Sequence, residues 1–275
     1  MLITSRANPR IKWLRTLGAR KHREQEGVCF VDGVRLVSEA VAAGAEITLM
    51  VLAPDAMSDA ARQAAAPLKA AGGPPVLLVG PHVFDALAPR GGHEGIAVVV
   101  RQRFRSLDDV IPRDELCWLG LGALEHPGSV GTLLRTCDAV GGRGVILLGD
   151  SLDPYDPIAV RTSHGAVFSQ LLVRATPAEL AAWARRHGCF VVGASPDAAA
   201  EYQAITYQAP LVLLLGHERT GLPGELRECC DALVRVPMAG RGDSHHVVVA
   251  AGLVLYEAFQ QARGRPPHPP AGEGA

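Results

Sequence analysis

The chain is short of several features that would settle its class at once. No apolar run approaches the ~20 residues of a membrane-spanning helix. The first ten residues, MLITSRANPR, lack the apolar stretch of a signal peptide, so a cytoplasmic location is expected. The six cysteines (Cys29, Cys117, Cys137, Cys189, Cys229 and Cys230) show no CxxC spacing. Their pattern excludes the usual zinc frameworks and leaves buried, reduced thiols as the expectation. His126, His164, His217, His245 and His246 lie near the motifs below but without HExxH or HxxxH spacing, so no metal is expected. The glycine-rich AGRG at 239–242 is not followed by GK[ST], which excludes a P-loop. Aromatics are only 5% of the residues, yet 48% are hydrophobic, ample for a packed core. At 275 residues there is room for one large or two ordinary domains.

A strong charge imbalance is also missing, since the net charge is −1. The distribution is less even. Residues 1–105 carry 14 Lys/Arg against 9 Asp/Glu, and the remainder carries 13 against 19. Seven basic residues fall within the first 23 positions, and no acid precedes Glu24. Arg6, Arg10, Lys12, Arg15 and Arg20 are thus candidates for phosphate contacts. A solvated helix face has the same composition.

What is there is a long α/β alternation. Residues 8–23 read as one amphipathic helix with Ile11, Leu14 and Leu17 on a face. Strands are predicted at 28–31, 47–52, 76–79 and 96–100. Helices are predicted from Val34 to a stop at Gly44, over the Ala-rich 56–71, and at 81–87. These make a first domain, 1–103, and the polar stretch 104–115 reads as a linker. A second domain, 116–262, shows strands at 117–121, 144–148, 170–173, 190–193, 211–215 and 233–236. Its helices are placed at 129–140, 157–163, 177–187, 223–229 and 244–261. The alternation implies a mostly parallel, doubly wound sheet with ligands at the strand C-terminal ends. The Pro/Gly-rich tail, 263–275, is expected to be disordered.

The richest region is the last quarter. LVLLLGHE (211–218) is an apolar strand that reaches a glycine and an acid. Gly216 lets a ligand approach the backbone, and Gly221 permits a second sharp turn. A second short strand ends near Pro237, a glycine-rich loop shaped by Pro237 and Gly240 follows, and an apolar helix begins. Ser244 is placed to cap that helix. Backbone groups at two strand ends beside a helix N-terminus form a pocket suited to a nucleoside-like ligand.

Three segments together resemble the motifs of the SPOUT methyltransferases, TrmH/SpoU branch. They are HPGSVGTLLRTCDAVG (126–141), LLLGHERTGL (213–222) and VPMAGRGDSHHVVVAAGLVLYE (236–257). The family patterns read NPGNxGTxxRTAxAxG, LVLGxExxGL and IPMxGxxxSLNVSVAxAxxLYE. RTSHGAVF (161–168) resembles the family's RxSxGA element, and the resemblance covers 115–262. SRANPRIKWLRTL, FVDGVRLVSEA and HEGIAVV resemble, more loosely, the small RNA-binding domain that often precedes the catalytic one.

The resemblance implies an α/β protein of two domains. A small, ribosomal-protein-like N-terminal domain selects RNA, and a SPOUT domain with a deep trefoil knot binds S-adenosylmethionine and forms a homodimer. The implied reaction is methyl transfer to a ribose 2′-hydroxyl of rRNA or tRNA. Leu215, Gly216, His217, Val236, Met238, His245 and Val247 are the implied cofactor-binding residues. Arg135 is the matched catalytic arginine, read as stabilising a developing alkoxide because guanidinium stays protonated. Glu218 and Ser244 complete the matched catalytic positions. Ser129 and His246 stand where the family carries asparagine. His246 replaces the amide as a donor, serves as a general base, or marks a non-catalytic RNA-binding member. A base or a non-RNA molecule as acceptor is the other alternative.

Overall fold

The computed structural model describes residues 2–70, 72–88, 94–113, 116–122, 124–149, 152–217 and 220–264. Two compact units emerge, one of residues 1–103 with 153–169, the other of 104–152 with 170–275.

The chain opens with β1 (Leu2–Ile3), α1 (Pro9–Thr16) and α2 (Arg20–Glu26). β2 (Val28–Asp32), α3 (Val34–Ala42), β3 (Ile47–Leu52) and α4 (Asp59–Ala70) follow. β4 (Val76–Val79), α5 (Pro81–Leu87) and β5 (Ile96–Arg101) close this stretch. The sheet runs β1-β4-β3-β5-β2, with β5 antiparallel to both neighbours. The single helix expected over 8–23 is in fact two. Gly18 and Ala19 break it, and Asn8 caps the first half through Arg10 N–H at 2.9 Å. Its expected face is buried: Ile11, Leu14 and Leu17 are at most 2% exposed and pack with Val79, Phe84 and Val99. Each such side chain contributes about 1.5–3 kcal/mol of burial.

Next come β6 (Cys117–Leu121), α6 (Pro127–Ala139) and β7 (Gly144–Leu148), then α7 (Pro157–Thr162) and α8 (Ala166–Ser169), which group with the first unit. β8 (Leu171–Ala175), α9 (Pro177–His187), β9 (Phe190–Ala194), β10 (Ala200–Glu201) and β11 (Leu211–Leu215) follow. α10 (Gly224–Arg227), β12 (Ala232–Arg235) and α11 (Val247–Ala262) complete the chain. The seven-stranded sheet is parallel throughout, in the order β10-β12-β9-β11-β6-β7-β8. Trp118, Trp183, Val212 and Leu214 centre its core, and Leu107 and Val110 from the polar stretch before β6 join it. Trp183 Nε1 donates to Val110 O at 2.8 Å.

β1, β10 and α8 went unread in the sequence, because two to four residues show no periodicity. β12 ends one residue before the expected Val236, which frees Val236 from the ladder. α11 starts at Val247 rather than Ser244, and its cap is His246, whose Nδ1 accepts from Val248 N–H at 3.2 Å. The capping role read for Ser244 is thereby corrected. Cys29, Cys117, Cys137 and Cys189 are buried as expected, Cys229 and Cys230 are only half-buried, and all six are free thiols. Burial pushes the Cys29 and Cys230 thiols up to about 12. No described helix is long and apolar enough to cross a membrane.

Candidate functional site

Parallel strands deliver their C-terminal ends to one edge of a sheet, and three ends meet here. β11 is wholly buried and runs into Gly216. His217 and Gly221 then close a tight turn through two backbone bonds, His217 N–H to Gly221 O at 2.9 Å and the reverse at 2.8 Å. Gly221 has φ +69, the left-handed geometry expected of it. Gly216 lines a cavity and has a second requirement that the sequence did not show: a Cβ there would run into the Gly221 carbonyl, so the glycine also serves the turn itself. Gly240 meets no such demand, since a Cβ there touches nothing within 4 Å.

A cavity of about 580 Å³ lies against these ends. All seven residues expected to hold the cofactor line it: Leu215, Gly216, His217, Val236, Met238, His245 and Val247. Ser244 lines it as well. Four further liners, Ser195, Glu201, Arg235 and Asp243, went unread. The rule that singled out Gly216 reaches Ser195 too, because Ser195 is the first residue after β9. Glu201 lies on the short β10 and leaves no such signal.

The other candidates lie elsewhere. Ser129 is buried in the first turn of α6, and Arg135 is exposed two turns on. Neither lines the cavity, nor does His246. α6 packs on α11, with Thr136 Cγ2 facing Gly252. His217 Nε2 stands 3.4 Å from a Glu125 carboxylate oxygen, linking the segment before α6 to the turn after β11. Glu218 lies outside the described residues. Among the described residues no group of three His, Cys, Asp or Glu is placed to hold a metal ion.

The basic N-terminal segment divides by environment. Arg10, Lys12 and Arg15 are exposed on α1. Arg6 donates Nε and Nη2 to His82 O at 3.2 and 2.9 Å, and Arg20 pairs with Glu24 at 2.9 Å. Arg23 is only 1% exposed and reaches Leu17 O, Gly18 O and, at 2.6 Å, Asp153.

A parallel α/β sheet with a cavity outside its strand C-terminal ends defines a nucleotide-type binding domain. Comparison with known proteins narrows the class. A model of the SpoU rRNA methylase family matches residues 118–256, and one of the MRM3-like substrate binding domain matches residues 8–97. A 23S rRNA (uridine(2479)-2′-O)-methyltransferase of Streptomyces viridochromogenes is 31% identical over 94% of this chain and 92% of its own. The crystal structure of an AdoMet-bound rRNA methyltransferase from Sinorhizobium meliloti is 34% identical, with TM-score 0.86, covering 95% of this chain and 98% of that one. An RNA 2′-O ribose methyltransferase structure is 33% identical, with TM-score 0.82, over 96% and 100% of the two chains. The chain belongs to the SpoU rRNA methylase family, as its three motif segments implied.

Proposed function

We propose that the protein is an S-adenosylmethionine-dependent RNA methyltransferase that methylates a ribose 2′-hydroxyl of rRNA or tRNA. The observation that carries this reading is the cavity. It gathers the strand-end segments of the second and third motifs into one space of about 580 Å³, within the range of small-molecule sites. The residues fit the cofactor. Leu215, Val236, Met238 and Val247 offer apolar surface for a purine, while Ser195, Glu201 and Arg235 offer polar partners.

When bound, S-adenosylmethionine supplies a methyl group activated by its sulfonium. The chain's own residues align and shield. The apolar liners displace water, and the paired backbones of His217 and Gly221 fix one edge of the cavity. Arg135 keeps a permanent positive charge for the alkoxide that develops as the 2′-hydroxyl loses its proton. Ser129, Ser244, Glu218 and His246 are the other side chains assigned to the reaction. His246 supplies its Nδ1 to the α11 cap, which favours a structural role for the ring over that of a general base.

The finer architecture is part of the same proposal. Residues 1–103 form the RNA-selecting domain with a ribosomal-protein-like fold, supported by the substrate-binding match, and Arg10, Lys12 and Arg15 are its best-exposed cations. Residues 104–115 join it to the catalytic domain, 116–262, whose chain is tied in a trefoil knot around the cavity. Two copies pair through α11, where Val249, Leu253 and Tyr256 are 50%, 36% and 57% exposed. The same reading places the enzyme in the cytoplasm.

Purified protein incubated with labelled cofactor and total RNA tests the assignment. Label recovered in 2′-O-methylribose supports it. Label in a base or a small molecule replaces the acceptor, and binding without transfer replaces the enzyme with an RNA-binding protein.

A further inference from the structure

One register row of the seven-stranded sheet runs from the cavity to the sheet edge. Leu215, a cavity liner at the end of β11, pairs with Leu121 of β6. Leu121 pairs with Leu147 of β7, and Leu147 with Arg174 of β8. Register partners in a parallel sheet turn their side chains to the same face. That face is not the one of Trp118, Ile146 and Val173, which meets Trp183 of α9. It is the α6 face, because Cys117, four residues before Leu121, hydrogen-bonds the Cys137 thiol of α6. Arg174 therefore shares a face with the helix that carries Arg135.

β8 is the last strand of the sheet, so the row ends in an exposed cation. The Arg174 guanidinium lies over the Phe104 ring, 4.1 Å from its centroid. Backbone pairing brings the ring there. Arg105 N–H donates to Leu172 O at 2.8 Å, and Arg105 bridges to Val173. Alternation then puts Arg105 on the Val173 face and Phe104 on the Arg174 face. A guanidinium on a ring keeps its charge, gives up rotamer freedom and offers a flat, weakly hydrated surface. Unpaired RNA bases stack on such planes. Three strand spacings separate β8 from β11, about 14 Å. A stacked strand rises about 3.4 Å per nucleotide, so a strand with its acceptor ribose at the cavity reaches Arg174 within about four nucleotides.

We infer that Arg174, supported by Phe104, stacks an unpaired base of the substrate RNA within about four nucleotides of the methylated ribose. The inference rests on the RNA methyltransferase reading proposed above. Methyl transfer to total RNA, with KM taken as RNA mass concentration, tests it. Arg174→Lys keeps the charge and loses the plane. Its KM for RNA should rise about tenfold, the scale of one lost stacking contact, while kcat and S-adenosylhomocysteine affinity stay within about twofold of wild type. Phe104→Leu removes the support and should raise KM in the same way, and it carries the test if Arg174→Lys does not fold. Phe104→Tyr should keep the wild-type KM. Arg105→Gln removes a full charge from the other face, yet it should change KM less than Arg174→Lys does. Arg174→Lys with a wild-type KM, or Arg105→Gln matching its effect, overturns the inference alone. Loss of S-adenosylhomocysteine affinity in Arg174→Lys also overturns it, by making the side chain part of the cofactor domain's packing. A wild type that transfers methyl to no RNA overturns the methyltransferase reading, and the stacking site falls with it.

Discussion

In the five-stranded sheet β5 runs antiparallel to both β2 and β3, whereas every pairing in the seven-stranded sheet is parallel. The consequence is positional. In the first sheet β5 alone is reversed, so its C-terminal end lies at the opposite edge from those of β1, β2, β3 and β4. Strands that all run one way bring theirs to a single edge, and the segments after β9, β11 and β12 share one cavity there. Burial follows position within each sheet. β6, β7 and β11 of the parallel sheet are buried along their whole length, and so is β5 of the other up to its last residue, whereas β8, β12, β3 and β4 are buried only in part. One unit builds a ligand site from backbone direction. The other carries exposed cations on a helix.

Variants can separate the two units. The largest effect is expected from Arg135→Ala, which should lower single-turnover methyl transfer by about a hundred- to a thousandfold while cofactor affinity holds. Affinity and rate falling together would move Arg135 from the reaction to the binding site. Arg23→Leu comes next. It removes the partner of the nearly buried Asp153 and should destabilise the first unit by about 3–5 kcal/mol in urea denaturation, leaving cofactor affinity unchanged. A parallel loss of affinity would show the units to be thermodynamically one. Gly216→Val should cost about 1–3 kcal/mol, because the new side chain displaces the Gly221 carbonyl, and cofactor affinity should fall with the turn. Retained affinity would detach this turn from the cofactor site.

Smaller effects probe the charged helix. Deleting residues 1–23 is a poor test, because Ile11, Leu14, Leu17 and Arg23 belong to the core. Changing Arg10, Lys12 and Arg15 to glutamine leaves that core intact. If all three touch phosphates, the slope of log affinity for RNA against log salt should shrink by about 2. An unchanged slope identifies α1 as a solvated face. The smallest effect belongs to His246→Asn. Asparagine is an equally good helix cap, so stability should change by only a few tenths of a kcal/mol. The pH–rate profile should match wild type, and a profile flattened by this change would restore the ring as general base.

Much of this was legible beforehand. The strand at 211–215 and the helix at 177–187 were read to the residue, because a continuous apolar run and a Thr-Pro start with a glycine stop are local signals. The seven cavity residues were legible through their motif, since strand ends in a parallel sheet obey a general rule. Ser195, Asp197 and Arg227, which hydrogen-bond to one another, were not. They are short-range neighbours only after β9 and α10 have folded, and nothing in their spacing along the chain joins position 195 to 227. The break at Gly18 and the cap at His246 were missed for a related reason. A single local competitor decided each, against a pattern that ran on past it.

The chain's order of amino acids thus determined the α/β alternation, the family and the residues at the strand ends, because each depends on backbone direction and on neighbours within a few positions. Tertiary structure alone decided that Gly216 serves Gly221, that Arg23 is buried on Asp153, and that the Ser195 proton belongs to Asp197. Arg23 meets Asp153 across 130 residues and Arg227 reaches Ser195 across 32, and hydrogen-bond polarity exists only once all the partners are in place.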